Sequence, residues 1–210
     1  MKIMMMKNIS ANNDIYAYNN RDYCRKKSIK LINVMASPGA GKTSVITGLL
    51  SLFPNKDALG VIEGDIASDI DAEKLNNLGY KTVQINTGGG CHLNAVSIGD
   101  ALKELDIEKG CVFIENVGNL ICPSAFDLGE SLKLLIASVP EGSDKPFKYI
   151  SMFECVDLIV LNKWDLAPYM RFDYEEFERG VRAVNEKAPI IKVSCFEGLG
   201  LDELYRLIEV

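Results

Sequence analysis

A cysteine and the only histidine of the chain stand side by side, as Cys91 and His92, directly after three glycines in the stretch TGGGCHLNA. Thiolate and imidazole are both ligands that transition metals such as Zn²⁺ and Ni²⁺ accept. An isolated histidine, however, is more often an ordinary polar residue than a metal ligand. The local pattern therefore leaves two interpretations open, a metal site and an incidental contact between a thiol and an imidazole.

A phosphate-binding loop is predicted by the stretch ASPGAGKTS, which follows a strand-like apolar run and precedes a helical one. It reads Ala36-x-x-x-x-Gly41-Lys42-Thr43, the P-loop pattern with alanine in place of the usual first glycine. Small residues let backbone N–H groups curl around phosphates, the lysine reaches the β- and γ-phosphates, and the threonine hydroxyl binds Mg²⁺. The helix that begins near Lys42 adds its N-terminal dipole. The predicted phosphate contacts are Ser37, Pro38, Gly39, Ala40, Gly41, Lys42, Thr43 and Ser44.

A guanine-binding motif is predicted at the end of a later strand, in VLNKWDL. Asn162-Lys163-x-Asp165 lies about 120 residues after the P-loop, and its aspartate can accept hydrogen bonds from the N1–H and 2-amino groups of guanine. Adenine lacks this pair of donors, so the motif selects GTP over ATP. Further along, KVSCFEG places Ser194 and Cys195 where GTPases have a loop that backs the base. Together these stretches predict a GTP/GDP site.

Carboxylates at two further strand ends predict a Mg²⁺ site and a nucleotide-dependent switch. In FIENVGN, Glu115 can hold Mg²⁺ directly or through water, and the backbone N–H of Gly118 can turn toward the γ-phosphate. Asp65 can position the attacking water or join Thr43 and Glu115 around Mg²⁺, and it can also cap a helix. The predicted catalytic group is Lys42, Asp65, Glu115 and Gly118. No arginine finger is evident, so we expect slow, switch-like hydrolysis of GTP.

Short apolar strands alternate with amphipathic helices from residue 29 onward, which predicts parallel βαβ units. Seven strands are predicted, at 29–36, 59–64, 81–86, 111–116, 132–139, 156–162 and 189–194. Helices are predicted at 42–53, 67–79, 92–105, 174–185 and 200–209. The predicted fold class is α/β, a three-layer P-loop NTPase with a mostly parallel sheet of about seven strands. Residues 1–27 are polar and are predicted to be an arm or short helix, and 28–210 the GTPase domain.

Length, charge and cysteine spacing narrow the class of protein. A chain of 210 residues suits one domain with a sizeable core. The net charge is -6 without a block of Lys and Arg, which argues against binding of nucleic acid or an anionic membrane. No apolar run reaches the roughly 20 residues of a transmembrane helix, and the apolar run in the start MKIMMMKNIS is too short for a signal peptide. The six cysteines are widely spaced, as for free thiols in a reducing compartment. We therefore expect a cytoplasmic protein that binds neither nucleic acid nor membrane.

Five stretches, VIEGD, INTGGGCHLNA, FIENVGNLICPSAFDLGE, EGSDKP and NKWDL, together resemble the HypB family, the GTPases that insert nickel into NiFe-hydrogenases. The resemblance runs from about Leu31 to Ile208 and implies the SIMIBI class of P-loop GTPases. It marks Cys91, His92 and Cys122 as metal ligands. It also implies a homodimer that GTP favours, with the metal site at the dimer interface. The implied partners are the hydrogenase large subunit and a second, HypA-type nickel-maturation protein.

The implied ligand set of two thiolates and an imidazole suits Ni²⁺ or Zn²⁺ rather than Mg²⁺ or Ca²⁺. These residues do not decide between nickel and zinc. Three ligands leave one position open, or let a second protomer complete the shell. Cys122 lies on the same short segment as Glu115 and Gly118, so we expect GTP binding and hydrolysis to shift residues 115–122 and change metal affinity.

The chain departs from the HypB pattern at three places. Its arm has one cysteine, Cys24, and no histidine, so neither a CxxCGC-type nickel site nor a histidine-rich nickel store is expected. Gly89 and Asn94 stand where the family usually has Lys and Asp, which removes two charges beside the metal loop and bears on metal affinity and dimer contacts. Ser151 stands where some relatives have histidine.

The function predicted from these patterns is that of a GTP-hydrolysing metallochaperone that assists nickel insertion into NiFe-hydrogenase. Two alternatives stay open: a urease-type nickel-insertion GTPase, and a metal-binding or storage module that uses nucleotide only structurally. The ENVGNLICP segment fits the hydrogenase type better than the urease type. A P-loop kinase is least favoured, because the NKxD motif selects guanine and no lid over an acceptor substrate is evident.

Overall fold

The computed structural model describes residues 2–5, 13–65 and 70–209. The strands in these ranges are β1 (Lys2–Met5), β2 (Ile29–Ala36), β3 (Leu59–Asp65), β4 (Lys81–Asn86), β5 (Gly110–Glu115), β6 (Leu132–Ser138), β7 (Leu158–Asn162) and β8 (Ile190–Lys192). The α-helices are α1 (Asn13–Lys26), α2 (Lys42–Leu50), α3 (Ile70–Asn77), α4 (Ala95–Leu105), α5 (Lys145–Lys148), α6 (Ile150–Glu154), α7 (Tyr174–Val184) and α8 (Leu201–Glu209). Short 3₁₀ helices lie at Lys56–Ala58, Cys122–Ala125, Val139–Glu141 and Trp164–Tyr169.

The strands form one sheet in the order β1-β4-β3-β5-β2-β6-β7-β8, and every pair of neighbours is parallel. The predicted α/β class with a parallel sheet is therefore confirmed. Parallel strands end at a common edge of their sheet, which is where ligands of open α/β sheets bind. The carboxyl ends of β2, β3, β4, β5 and β7, which carry or directly precede predicted site residues, all lie at this edge.

Helices cover both faces of the sheet and form three layers. Successive side chains of a strand point to opposite faces, and β2 shows this directly. Ile32 and Val34 pack in the cluster that includes α2 and α8. On the other face, Leu31 packs with α1 and α4, whereas Met35 packs with α6 and α7. The central strand is buried on both sides and holds the phosphate loop at its end.

The N-terminal segment contributes more than the sequence predicted. Lys2–Met5 adds an eighth strand at the sheet edge, with Lys2 opposite Val83 of β4, so the count of seven strands was one short. The following helix α1 has 14 residues and buries Ala17, Asn20 and Cys24. Their spacing is helical, but they are small or polar, so apolar periodicity does not reveal this helix. Residues 6–12 of the predicted arm lie outside the described residues.

Several predicted boundaries differ from the observed ones. The helix predicted to begin at His92 begins at Ala95, because the Asn94 side chain accepts from Ser97 N at 3.0 Å and caps the helix. The helix predicted at 67–79 is seen as Ile70–Asn77, and residues 66–69 lie outside the described residues. None of the helices in the described ranges combines the length and apolar character needed to cross a bilayer.

Candidate nucleotide and metal sites

The predicted phosphate loop lies between β2 and α2, at the carboxyl edge of the sheet. Gly39 and Gly41 have φ values of +77° and +98°, a left-handed backbone that suits glycine. Ala36 is the buried last residue of β2, where an extended backbone does not need the glycine usual in the pattern. The first turn of α2 contains Lys42, Thr43 and Ser44. A left-handed loop that leads into a helix N-terminus is a suitable phosphate-binding site.

The predicted base motif lies directly against this loop. Asn162 Nδ2 donates to the Ala40 carbonyl at 2.9 Å, and Lys163 Nζ donates to the Gly39 carbonyl at 2.7 Å. A Cβ added at Gly41 would lie 2.5 Å from Asn162 Nδ2, so the contact also needs glycine there. These two hydrogen bonds were not predicted, and they give the base motif a second role in shaping the phosphate loop.

The remaining base-site residues are brought together at the ends of β7 and β8. The Ser194 hydroxyl donates to Asp165 Oδ1 at 2.7 Å and accepts from the Glu197 N–H at 3.2 Å. Cys195 Sγ lies 3.7 Å from Asn162 Oδ1. Because the Glu197 N–H holds the Ser194 hydroxyl, the hydroxyl can in turn orient the Asp165 carboxylate.

A cavity of about 230 Å³ opens beside the phosphate loop. Its wall includes Lys42, Asp65, Glu115 and Gly118, which are the predicted catalytic residues. Thr43 Oγ1 donates to Glu115 Oε1 at 2.8 Å. A Cβ added at Gly118 would lie 3.2 Å from the backbone of Pro38, so this segment touches the loop itself. Hydroxyl and carboxylate oxygens are the ligand types that Mg²⁺ prefers, and the donor set here fits that ion.

Two glutamates beside the candidate nucleotide site, the buried Glu63 and the half-buried Glu141, were missed by sequence reasoning. Glu63, 3% exposed, lines the cavity but reads as an interior strand residue in VIEGD. Glu141 accepts hydrogen bonds from the hydroxyls of Ser37, in the phosphate loop, and Ser138, the latter at 2.8 Å. Burial raises the pKa of the Glu141 carboxyl. A glutamate in the turn directly after β6 was the available signal for this contact.

The three predicted metal ligands converge from two loops. The ligand atoms of Cys91, His92 and Cys122 all lie within 4.8 Å of one another, and the three residues are half-buried. Cys91 Sγ and His92 Nδ1 are 3.6 Å apart. The His92 ring stacks on Phe126, with ring centroids 3.8 Å apart and an interplanar angle of 15°. The incidental interpretation of the Cys-His pair is disfavoured, because a third soft ligand meets it.

The protonation of these groups follows from their contacts. A hydrogen bond with Cys122 is the main cause that raises the pKa of the Cys91 thiol, and burial raises it further. Burial lowers the pKa of His92. A neutral imidazole and a protonated thiol are therefore expected at neutral pH without metal, and the Cys91 proton must leave before its sulfur binds a metal.

Two of the departures from the HypB pattern, Gly89 and Asn94, lie on either side of Cys91 and His92. Gly89 has φ +97° and no atom within 4 Å of an added Cβ, so this turn has a left-handed backbone in open space. The hydroxyl of Thr87 donates to the Gly90 carbonyl at 2.8 Å and closes the turn. Asn94 is the cap of α4, a role that asparagine and aspartate fill equally well. Ser151 is an exposed residue of α6.

Hydrogen bonds join the loop that holds Cys91 and His92 to the wall of the cavity beside the phosphate loop. Asn116, which lines the cavity, accepts from Leu93 N through Oδ1 at 3.3 Å. Asn119 Nδ2 donates to the Cys91 carbonyl at 3.4 Å. The segment 115–122 therefore contacts both the phosphate loop and the loop that holds Cys91 and His92.

Comparisons with known proteins show the family of this chain. Residues 30–192 match the family described as CobW/HypB/UreG, nucleotide-binding domain. A hydrogenase maturation factor HypB from Azotobacter vinelandii is 48% identical over 96% of this chain, which spans 67% of that protein. The HypB of Methanocaldococcus jannaschii, described as a probable factor, is 36% identical over 97% of this chain and 92% of its own. This chain belongs to the CobW/HypB/UreG family. Its resemblance to HypB proteins in particular is confirmed.

Solved HypB structures share the whole fold. HypB from Helicobacter pylori in complex with nickel is 33% identical and superposes with a TM-score of 0.89, over 95% of this chain and 94% of that one. HypB from Archaeoglobus fulgidus is 36% identical, with a TM-score of 0.88 over 95% and 98%. The signal recognition particle receptor FtsY from Elizabethkingia anophelis, in complex with GDP, is 16% identical with a TM-score of 0.54, over 86% and 65%. That likeness shows the fold alone.

Proposed function

We propose that this protein is a GTP-hydrolysing metallochaperone that binds nickel and assists its insertion into NiFe-hydrogenase. One observation carries the proposal: a cluster of two thiols and an imidazole lies beside a nucleotide cavity, and the segment 115–122 contacts both. Relatives at 34–48% identity are named hydrogenase maturation factors, and a similar structure contains nickel. The experiment that tests the proposal is a nickel titration at defined nucleotide states.

The guanine nucleotide is supported by the arrangement around Asp165. Its carboxylate, oriented by Ser194, is suited to accept two hydrogen bonds from guanine, which adenine does not offer. The phosphates would lie on the loop 37–41 and on the N-terminus of α2. Asn162 and Lys163, which donate to that loop, would keep it in place while the base binds.

Hydrolysis would depend on positioning and electrostatics. Lys42 would bring its positive charge to the β- and γ-phosphates, and Asp65 would orient the attacking water. Thr43 and Glu115 would hold Mg²⁺, which neutralises charge that develops on the phosphates. The Gly118 N–H would turn toward the γ-phosphate and so report the nucleotide state. No arginine finger was identified in the sequence, and slow turnover suits a switch.

Nickel is the proposed cargo, and zinc is an alternative occupant of the same ligands. Two thiolates and an imidazole accept either ion, since both are borderline-soft. We propose that the protein works in the cytoplasm as a homodimer that GTP favours, with a second protomer able to complete the metal shell. The hydrogenase large subunit and a HypA-type nickel-maturation protein are the proposed partners.

Nickel affinity is expected to depend on the nucleotide. Titration calorimetry of Ni²⁺ into protein loaded with GDP or with a non-hydrolysable GTP analogue should give dissociation constants that differ by about 5- to 150-fold. The reason is that Gly118 touches the phosphate loop while Asn116 holds Leu93, directly after His92. Protein mixed with ATP should behave as the nucleotide-free protein does. Equal nickel affinities in the two guanine states would contradict the coupling.

Trp164 offers a direct signal of base binding. It is the only tryptophan in the chain, and it is followed by Asp165. Its ring is half-buried, with edge-to-face contacts to Phe172 and Tyr174, and Lys192 Nζ lies 4.4 Å from its centroid. GDP or GTP should change its fluorescence, because ordering of the adjacent base site alters these contacts, whereas ATP should not. No response to either guanine nucleotide would count heavily against the assigned base site.

The storage alternative predicts a different result for GTP hydrolysis. A module that uses nucleotide only structurally would bind GTP and nickel without releasing phosphate. Measurement of inorganic phosphate from GTP with Mg²⁺ present separates the two functions, since the metallochaperone is expected to release phosphate slowly and to lose this activity on Lys42→Ala. Phosphate release no faster than from the variant would favour storage.

A urease client is the second candidate function. A HypB protein from Helicobacter hepaticus, 36% identical over 99% of this chain, is named a hydrogenase/urease maturation factor. The same nickel-loaded state could serve either enzyme. Nickel incorporation into each apoenzyme in turn, with this protein as the limiting component, would distinguish the two clients.

A further inference from the structure

The N-terminal helix α1 packs across the two segments that carry the metal ligands. Asn20, 5% exposed, donates through Nδ2 to two carbonyl oxygens, that of Ala95 at 2.7 Å and that of Leu128 at 2.9 Å. Ala95 lies three residues after His92, and Leu128 lies six residues after Cys122. The Asn20 amide therefore links the segment that follows Cys91 and His92 to the segment that follows Cys122.

The residues around Asn20 leave just enough room for it. A Cβ added at Gly99 would lie 2.6 Å from Asn20 Oδ1. A Cβ added at Gly129 would lie 2.6 Å from Asn20 Cβ and 2.4 Å from the Ala17 carbonyl. Because a glycine on each of the two segments admits the same asparagine, the bridge is a close fit rather than a loose surface contact.

Two further residues of α1, Asn13 and Arg21, contact the same two segments as Asn20. Asn13 accepts from Ala95 N at 2.9 Å and donates to the Asp127 carbonyl at 2.7 Å. Arg21 Nη2 donates to both carboxylate oxygens of Asp127, each at 2.9 Å. Three side chains on one face of α1 thus bond to residues 95 or 127–128. None of these hydrogen bonds is made by a metal ligand itself.

We infer that Asn20 is a positioning residue of the metal site, which it serves by fixing the distance between the Cys91–His92 loop and the Cys122 segment. The inference rests on the proposed metal site. A metal held by ligands from two segments binds tightly only if their separation is set before it arrives. Asn20 sets that separation through its two carbonyl contacts, while the Phe126 ring, two residues before Leu128, stacks on His92.

The test compares nickel binding by the folded full-length protein and by Asn20→Ala. Affinity is measured by competition with a chromophoric chelator, and the thiolate-to-nickel charge-transfer absorption is recorded. We expect Asn20→Ala to lower nickel affinity by about 10-fold or more and to shift or weaken the absorption, with GDP affinity as in the wild type. Asn19→Ala is the matched control, since Asn19 is an exposed asparagine of the same helix.

A merely structural role for Asn20 would have another outcome. It would lower Tm without metal but leave the nickel affinity and absorption of the folded variant at wild-type values, and that result would overturn the inference. If Asn20→Ala does not fold, the double variant Asn13→Ala and Arg21→Ala weakens the packing of α1 on the same two segments. Unchanged nickel binding by this double variant would also overturn the inference. Wild-type protein without any thiolate-to-nickel absorption would instead refute the metal site, and the inference with it.

Discussion

Asp165→Asn is expected to lower the affinity for GDP by at least about 100-fold and to raise the affinity for xanthosine diphosphate. Xanthine carries a carbonyl where guanine carries its 2-amino group, so a donor is required in place of an acceptor. The Ser194 hydroxyl donates to Asp165 Oδ1 at 2.7 Å and can donate in the same way to the Oδ1 of an asparagine. The new amide nitrogen would then occupy the position of the second carboxylate oxygen. Loss of guanine binding and gain of xanthine binding should therefore appear together.

The measurement for this substitution is the dissociation constant of each nucleotide, followed through Trp164 fluorescence or calorimetry. Asp202→Asn is a suitable control, because Asp202 is an exposed aspartate in the first turn of α8. Undiminished GDP affinity in Asp165→Asn would remove the base-site assignment. Loss of affinity for both nucleotides, with the fold intact, would show that Ser194 does not orient the side chain at this position.

Cys122→Ala is expected to reduce nickel affinity by more than the about 10- to 100-fold that loss of an outer-shell partner costs. The substitution removes one of three converging ligands and leaves Cys91 and His92, adjacent residues of a single loop. Thiolate-to-nickel absorption should fall with it, because one of two sulfur ligands is gone. GDP affinity at a fixed nucleotide state should change little, since Cys122 is not among the residues that line the cavity.

The matched control for Cys122→Ala is Cys155→Ala, which removes a thiol away from the proposed metal ligands. Cys155 is half-buried and donates to the Met152 carbonyl at 3.4 Å, in a different part of the fold. Cys155→Ala should therefore retain wild-type nickel affinity in the same competition assay. If Cys122→Ala binds nickel as tightly as Cys155→Ala does, the ligand set is wrong.

Local patterns predicted those parts of the candidate site that are contiguous in the chain. The phosphate loop needs small residues and a lysine in one run, and the base motif needs four neighbouring residues, so both are legible without a structure. The parallel strands are buried on both faces and appear as apolar runs. By contrast, α1 turns Ala17, Asn20 and Cys24 inward, and no apolar period marks such a helix.

Residues that act across the fold could not be predicted in this way. Glu141 reaches Ser37 over more than 100 residues of sequence, and Asn116, just after β5, reaches Leu93 in the loop before α4. Their partners depend on the strand order and on the packing of loops at one edge of the sheet. The sequence identified Cys122 as a ligand only through the HypB resemblance, because its distance from Cys91 is a property of the tertiary structure.

The hydrogen bonds from Asn162 and Lys163 to the phosphate loop bear on how this family can change its nucleotide over evolution. Within one short motif, the residue that we propose discriminates between bases is separate from the two residues whose side chains donate to the loop. On the proposed base site, a change at Asp165 would alter the base accepted, whereas loss of Asn162 or Lys163 would remove a hydrogen bond to the phosphate loop. Drift in nucleotide preference is therefore expected to be concentrated at one residue of the motif, with its neighbours invariant.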